Sequence, residues 1–175
     1  MRAKSSVLEE QIFNPLLHDR AGFTCGDTAL DEFFKKYAAQ QKAKGVSTVF
    51  VVVDTGQPHI VLGFYTLSAA QLGTSHLSET EQKKLPRYPV PCFRMGRLAC
   101  SRVAQGRGLG KLLVGLAVDR CIKAKADIGS YALLVDAKNE TAAAFYRHFG
   151  FIACTDSPLT LYLPLGDTPP NEVAL

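Results

Sequence analysis

Arg97-Leu98-Ala99-Cys100-Ser101-Arg102-Val103-Ala104-Gln105-Gly106-Arg107-Gly108-Leu109-Gly110-Lys111-Leu112-Leu113 runs as a strand through a glycine-rich turn into a helix. Glycines at 106, 108 and 110 remove Cβ atoms from the turn. Several backbone N–H groups can then converge on an anion at the helix N-terminus, where the macrodipole also favours negative charge. A Walker A loop is excluded, because Gln105 stands where its first glycine belongs and Leu112 where its Ser or Thr belongs. A dinucleotide fingerprint fits poorly: the third glycine comes one residue early, and the next ~20 residues are helical where an acid should close a second strand. What remains is Gln/Arg-x-x-Gly-x-Gly/Ala, matched by Gln105, Gly108 and Gly110. A tight strand-to-helix turn with no ligand would carry the same glycines, so the turn alone leaves both readings open.

Outward from the turn, charge is segregated. Gln82 through Val118 hold no Asp or Glu but eight basic residues: Lys83, Lys84, Arg87, Arg94, Arg97, Arg102, Arg107 and Lys111. The rest of the chain carries 12 basic and 16 acidic residues, so the net charge of +4 conceals a basic segment on an acidic remainder. A second acid-free run after Glu32 holds Lys35, Lys36, Lys42 and Lys44. One or two of these charges suffice for a cofactor's phosphates; a dozen suit a larger polyanion such as nucleic acid, or form a solvated basic face.

The 175 residues, 47% hydrophobic, predict one domain over 1–166 with a frayed tail over 167–175. The absence of an 18-residue apolar run or a signal core predicts a cytoplasmic protein off the membrane. Five scattered cysteines and four dispersed histidines predict reduced thiols and no metal site.

Residues 11–17 suggest an edge strand. A helix follows, capped at Asp27 or Thr28, with the stripe Leu30, Phe33, Phe34 and Tyr37, and it ends before Gly45. Ser47–Val53 and His59–Ser68 predict a central antiparallel hairpin. Residues 72–91 are loop-like, with a short helix over Ser78–Leu85. Cys92–Arg102 is the strand entering the turn, and the helix after it runs to about Lys125. Tyr131–Val135 predicts a strand covered on both faces and parallel to Cys92–Arg102. Asn139 caps a helix to His148, and Leu159–Leu163 forms the last strand. The order gives a mixed α/β layout with one right-handed βαβ crossover.

The segment Asn139-Glu140-Thr141-Ala142-Ala143-Ala144-Phe145-Tyr146-Arg147-His148-Phe149-Gly150-Phe151 decides between the readings of the turn. Together with Gln105-x-x-Gly108-x-Gly110 it resembles the two signatures of the GNAT acyltransferases, in the family's order. The resemblance implies the GNAT fold: a central mixed antiparallel/parallel sheet with helices on both faces and a splayed βαβ cofactor cleft. It also implies acetyl-CoA as cofactor. At matching positions, the backbone of Leu98, Ala99, Cys100 and Val103 pairs with pantetheine, and Gln105, Gly106, Arg107, Gly108, Leu109, Gly110 and Lys111 hold the pyrophosphate. Asn139 and Phe145 flank the arm, and Tyr146 protonates the leaving thiolate. A phenol is protonated at neutral pH and suits that task.

Cys100 has no His or acid predicted beside it and reads as a packed thiol, and His148 as a helix-terminal residue. The strand Cys92–Arg102 contains no carboxylate to act as a base, which suits an α-amine, already partly neutral near pH 7.7–8.0.

Phe23-x-Cys25-Gly26-Asp27-x-x-Leu30-Asp31-x-Phe33-Phe34, Gly63-Phe64-Tyr65-Thr66-Leu67 and Gly96-Arg97-Leu98-Ala99 extend the resemblance to the toxin branch of the family. Such members acetylate the α-amine of aminoacyl-tRNA, stop translation, pair with a ribbon-helix-helix antitoxin and often form homodimers. Lys35, Lys36, Arg87, Arg94 and Arg97 are the residues proposed to touch tRNA. Gln105 departs from the Arg of many relatives, so one cofactor-directed charge is lost unless Arg107 replaces it. A small-molecule amine or a protein N-terminus as acceptor, or a non-catalytic acyl-CoA-binding module, are the alternatives; the basic run argues against a polycationic substrate.

Overall fold

The computed structural model describes residues 6–166; the expected frayed tail, 167–175, lies outside them. In chain order the elements are β1 (Leu8–Ile12), α1 (Thr28–Glu32), a π-helical turn (Phe33–Tyr37), α2 (Ala38–Ala43), β2 (Thr48–Asp54), β3 (Gln57–Leu72), a 3-10 turn (Thr74–His76), α3 (Glu79–Gln82), β4 (Val90–Cys100), a second 3-10 turn (Arg102–Ala104), α4 (Leu109–Ala124), β5 (Ala132–Asp136), α5 (Glu140–His148), β6 (Ile152–Cys154) and β7 (Ser157–Pro164). The strands join one mixed sheet in the order β1-β2-β3-β4-β5-β7-β6. β4 and β5 run parallel, as the crossover requires, and β2–β3 is the expected antiparallel hairpin. The parallel ladder pairs Cys92–Met95 with Ala132–Val135, whereas β4 continues to Cys100.

The chain divides into two compact units. One holds residues up to Ser68 with Gly96–Ala117, the other Ala69–Met95 with the residues from Val118. In the first, Asp27 caps the helix by accepting from the N–H groups of Ala29 (3.0 Å) and Leu30 (3.2 Å). That satisfies two of the donors a helix leaves open at its start. The helix then admits one π-turn, in which Ala38 N–H reaches back to Phe33 O. The extra residue rotates the following stripe, so Ala38 is buried while Tyr37 faces outward, against the regular 3-4-3 spacing the sequence suggests. Phe33 and Phe34 pack with Phe13, Phe23 and Phe64 over Val49, Val51 and Val53 of β2. Phe34 stacks on Phe64 at 4.7 Å.

The first strand lies earlier than expected, over Leu8–Ile12, and takes the sheet edge beside β2. Pro15 has no N–H to offer a ladder, and Asn14 instead turns the chain by accepting from Leu16 N–H at 2.9 Å. His18, in the same turn, is buried. Its Nδ1 accepts from Asn14 N–H at 2.9 Å and its Nε2 lies 2.8 Å from Gln11 Oε1, which fixes the neutral ring.

In the second unit, Leu72, Leu77, Val90, Cys92, Ala132, Leu134, Cys154 and Tyr162 form the core. α3 is shorter than expected and is capped by Ser78, whose hydroxyl accepts from Glu81 N–H at 3.3 Å. Glu81 accepts from Tyr131 Oη at 2.6 Å and also from Tyr162 Oη. Burial pushes its carboxyl up, but the hydroxyl donors outweigh that and hold it below the ordinary glutamate value. The C-terminal strand is a hairpin, β6–β7, turning at Thr155–Asp156, with β7 inserted between β5 and β6.

Candidate active site

The glycine turn is built as the sequence suggests. Gly106 has φ 81° and Gly108 φ 74°, the left-handed region that glycine enters at no steric cost. A Cβ at either position would meet nothing within 4 Å, so the turn is open on that side. Leu112 N–H bonds Gly108 O at 3.2 Å and opens the helical ladder of α4. The N–H groups of Leu109, Gly110 and Lys111 therefore precede any helical partner and end at the turn. Arg107 and Lys111 are exposed, and no carboxylate lies between Gln105 and Val118. Unpaired backbone donors and two cations of this kind can hold an anion carrying more than one charge.

Side chains hold the turn in place. Gln105 Nε2 donates to Cys25 O at 2.8 Å and to Cys100 O at 3.1 Å, so its amide braces the loop, while its own backbone N–H is taken by Arg102 O at 3.4 Å. Arg102 N–H donates to Thr24 O at 2.8 Å. Gly26, at φ 88°, lies so close to Arg102 that a Cβ there would stand 3.1 Å from Nε. Asp31 accepts from Cys25 N–H at 2.8 Å and Thr24 Oγ1 at 3.1 Å. The Phe23–Asp31 motif is thus a latch: Asp27 starts the helix, Asp31 pins Thr24–Cys25, and these grip Arg102 and Gln105. Ala99 is buried, Val103 is exposed, and Leu98 and Cys100 are partly covered. Burial pushes the Cys100 thiol up, consistent with a packed thiol instead of a nucleophile.

In the other unit, Asn139 Oδ1 accepts from Ala142 N–H at 2.9 Å and starts α5. Tyr146 is half-buried on that helix, its ring edge-on to Phe145 at 5.3 Å and Phe151 at 5.5 Å, and Phe151 N–H bonds Tyr146 O. The aromatic spacing of the motif clamps the tyrosine ring. His148 sits at the exposed end of α5.

The basic residues proposed for tRNA fall into distinct settings. The Arg97 guanidinium lies 3.8 Å over the Phe33 ring, and burial lowers its pKa. The Arg97 backbone N–H donates to Thr66 Oγ1 at 3.0 Å. Lys36 pairs with Glu32 at 3.1 Å on the exposed helix face. Lys35 joins Arg20 and His59 around a cavity of about 540 Å³. Arg87 is exposed, and Arg94 lies 3.6 Å from Asp136.

Residues 14–151 match the acetyltransferase (GNAT) family. The chain belongs to that family. It is an acetyltransferase, as the two motifs imply. A tRNA-acetylating toxin of Mycobacterium tuberculosis is 36% identical over 149 residues, which cover 85% of this chain and 87% of that protein. The structure of AtaT complexed with acetyl-methionyl-tRNA superposes with a TM-score of 0.85 at 30% identity, covering 90% of this chain and 95% of that one. A tyrosine-to-phenylalanine variant of the AtaT toxin, bound to the C-terminus of the antitoxin AtaR and acetyl-CoA, gives 0.76 at 27% identity over 91% of this chain and 94% of that one.

Sequence reasoning missed Asp136 as the partner of Arg94, Thr66 as the anchor of Arg97, and Glu81 as the acceptor of two tyrosines. Only Asp136 left a trace, as the charged residue closing an apolar run. The other partners stand 31 to 81 residues apart and carry no local pattern. Among the described residues no cluster of His, Cys, Asp and Glu is arranged to hold a metal ion, and no helix is long and apolar enough to cross a membrane.

Proposed function

We propose that this chain transfers the acetyl group of acetyl-CoA to the α-amine of aminoacyl-tRNA and so acts as a translation-blocking toxin. It works in the cytoplasm as a homodimer and is restrained by a ribbon-helix-helix antitoxin. The observation that carries this reading is the open left-handed turn at Gly106–Gly108, in a chain whose likeness to a tRNA-acetylating toxin spans 85% of its length.

The seat fits a diphosphate: two left-handed glycines leave it open, helix N–H groups end in it, and Arg107 and Lys111 add positive charge. Acetyl-CoA supplies a thioester carbonyl for an amine to attack and a thiolate as leaving group. Gly106–Lys111 bind the diphosphate, while the Gln105 amide keeps the turn in shape. The backbone of Leu98, Ala99, Cys100 and Val103 orients pantetheine, with Asn139 and Phe145 beside the arm. Tyr146 holds a proton on Oη for the thiolate; an ordinary phenol, near pKa 10, keeps that proton at neutral pH. Lys35, Lys36, Arg87, Arg94 and Arg97 face the tRNA phosphates.

Incubation with labelled acetyl-CoA and total charged tRNA, followed by mass spectrometry, tests this. The expected product is N-acetyl-aminoacyl-tRNA. Label that appears only on small amines or protein N-termini, or nowhere, overturns the proposal.

A further inference from the structure

The second unit contains a cavity of about 210 Å³, of whose lining only Arg94, half-exposed at its outer side, has been given a role above. It is lined by His76, Arg94, Leu134, Asp136, Cys154 and Thr160, among others. Its volume is below the ~300 Å³ at which pockets begin to admit drug-sized ligands, so it suits a small head group. His76 Nδ1 is 2.6 Å from Asp156 Oδ1. A carboxylate at Nδ1 fixes the proton on that nitrogen and leaves the Nε2 lone pair as a base, the arrangement by which a third group orients a catalytic imidazole. The turn bearing Asp156 is itself tied down: Thr155 N–H donates to His76 O at 3.2 Å and Thr155 Oγ1 to Ser75 O at 3.4 Å.

Arg94 Nε is hidden from solvent with no hydrogen-bond acceptor, 3.6 Å from Asp136 Oδ2. A buried donor without an acceptor invites an oxygen ligand. Asp136, also held by Thr160 Oγ1 at 3.1 Å, offers a negative charge to an ammonium group. An α-amino ester presents both a carbonyl oxygen and an ammonium. Arg94 stands two residues before Gly96, where β4 runs past its pairing with β5 into the stretch assigned above to pantetheine.

We propose that this cavity receives the aminoacyl head group and that His76, oriented by Asp156, is the base that deprotonates the attacking amine. The inference rests on the function proposed above and supplies the base that β4 lacks. The bound ammonium first gives one proton to solvent, which frees the nitrogen lone pair; as that nitrogen bonds to the thioester carbon, a second N–H proton passes to His76 Nε2. The C–S bond breaks, and the thiolate takes the proton of Tyr146 Oη. Amide and free thiol leave; His76 returns its proton to solvent and Tyr146 regains one. The charged or titratable groups around His76 are Asp156 from the β6–β7 turn, at its Nδ1, and, lining the same cavity, Arg94 from β4, Asp136 from β5 and Cys154 from β6. Burial and then the two carboxylates push the Cys154 thiol up, so it stays neutral.

Single-turnover acetylation of charged tRNA by the full chain, measured across neutral pH, tests this. His76→Ala is expected to lose about 100-fold in rate, to regain rate when imidazole is added, and to keep its acetyl-CoA affinity by calorimetry. His76→Gln, close in size, is expected to lose the same rate at unchanged thermal stability. Asp156→Asn is expected to lower kcat while leaving KM for charged tRNA and acetyl-CoA affinity unchanged, as loss of imidazole orientation requires. Wild-type rates in His76→Ala, or a loss that imidazole does not restore, overturn the base while leaving the proposed function standing. A wild-type chain that acetylates no charged tRNA overturns both.

Discussion

Gly108 occupies φ 74°, where a side chain costs about 1–2 kcal/mol through its own backbone, and open space around it removes any packing contribution. Gly108→Ala is therefore expected to weaken acetyl-CoA binding about ten-fold in a calorimetric titration. The role proposed for Tyr146 can be tested by separating binding from chemistry. Tyr146→Phe keeps the ring contacts with Phe145 and Phe151 and removes only the hydroxyl. The expected outcome is a loss of about 100-fold or more in acetylation rate with acetyl-CoA affinity unchanged; equal rates would remove the phenol from the mechanism. The glycines and the tyrosine were legible in the sequence because each motif is local and its spacing maps directly onto one turn or one helix face. Gln105 was legible as a position and not as a brace, since its acceptors on Cys25 and Cys100 depend on how distant segments meet. The pairs Arg94–Asp136 and His76–Asp156 were invisible for the same reason.

Elements were legible where periodicity was strong. The helix from Thr28, the β2–β3 hairpin, α4 and α5 all stand within a few residues of their expected limits, because caps and breakers such as Asp27, Asn139 and Gly150 sit at their ends. The π-turn escaped, because inserting one residue into a helix leaves composition unchanged and alters only which positions face inward. The β6–β7 hairpin was compressed into one strand, its turn being only Thr155–Asp156. Asp27 does two jobs at this scale, capping the helix and setting up the latch on Arg102 and Gln105. Asp27→Ala is expected to cost about 1 kcal/mol, read as a lower urea midpoint, and to weaken acetyl-CoA binding through a looser turn.

Across the whole molecule, charge and pH set the testable behaviour. Arg87→Glu is expected to weaken tRNA binding and to flatten its dependence on log salt by about one to two counterions without changing thermal stability. Arg97→Glu is expected to lower both, since it also uncovers Phe33. Each unit carries its own acid-sensitive group. Burial, reinforced by the Lys42 charge, holds His18 below the ordinary histidine value of about 6.5, against the Asn14 hydrogen bond. Its contribution to stability is present above that pH and is lost as pH falls through the lowered folded value. Glu81 follows the same sign lower down, stabilising above about 4.3 and losing its contribution in more acidic solution. Urea midpoints are expected to fall in two stages on acidification; His18→Asn should flatten the first and Glu81→Gln the second. The Gln105 brace bears on how the proposed seat would capture a donor nucleotide. A loop whose curvature is set in advance by an internal amide sacrifices little chain entropy on association, so capture should be governed by encounter, and Gln105→Ala should show a slower association rate and a larger unfavourable entropy while the heat released per phosphate contact stays the same.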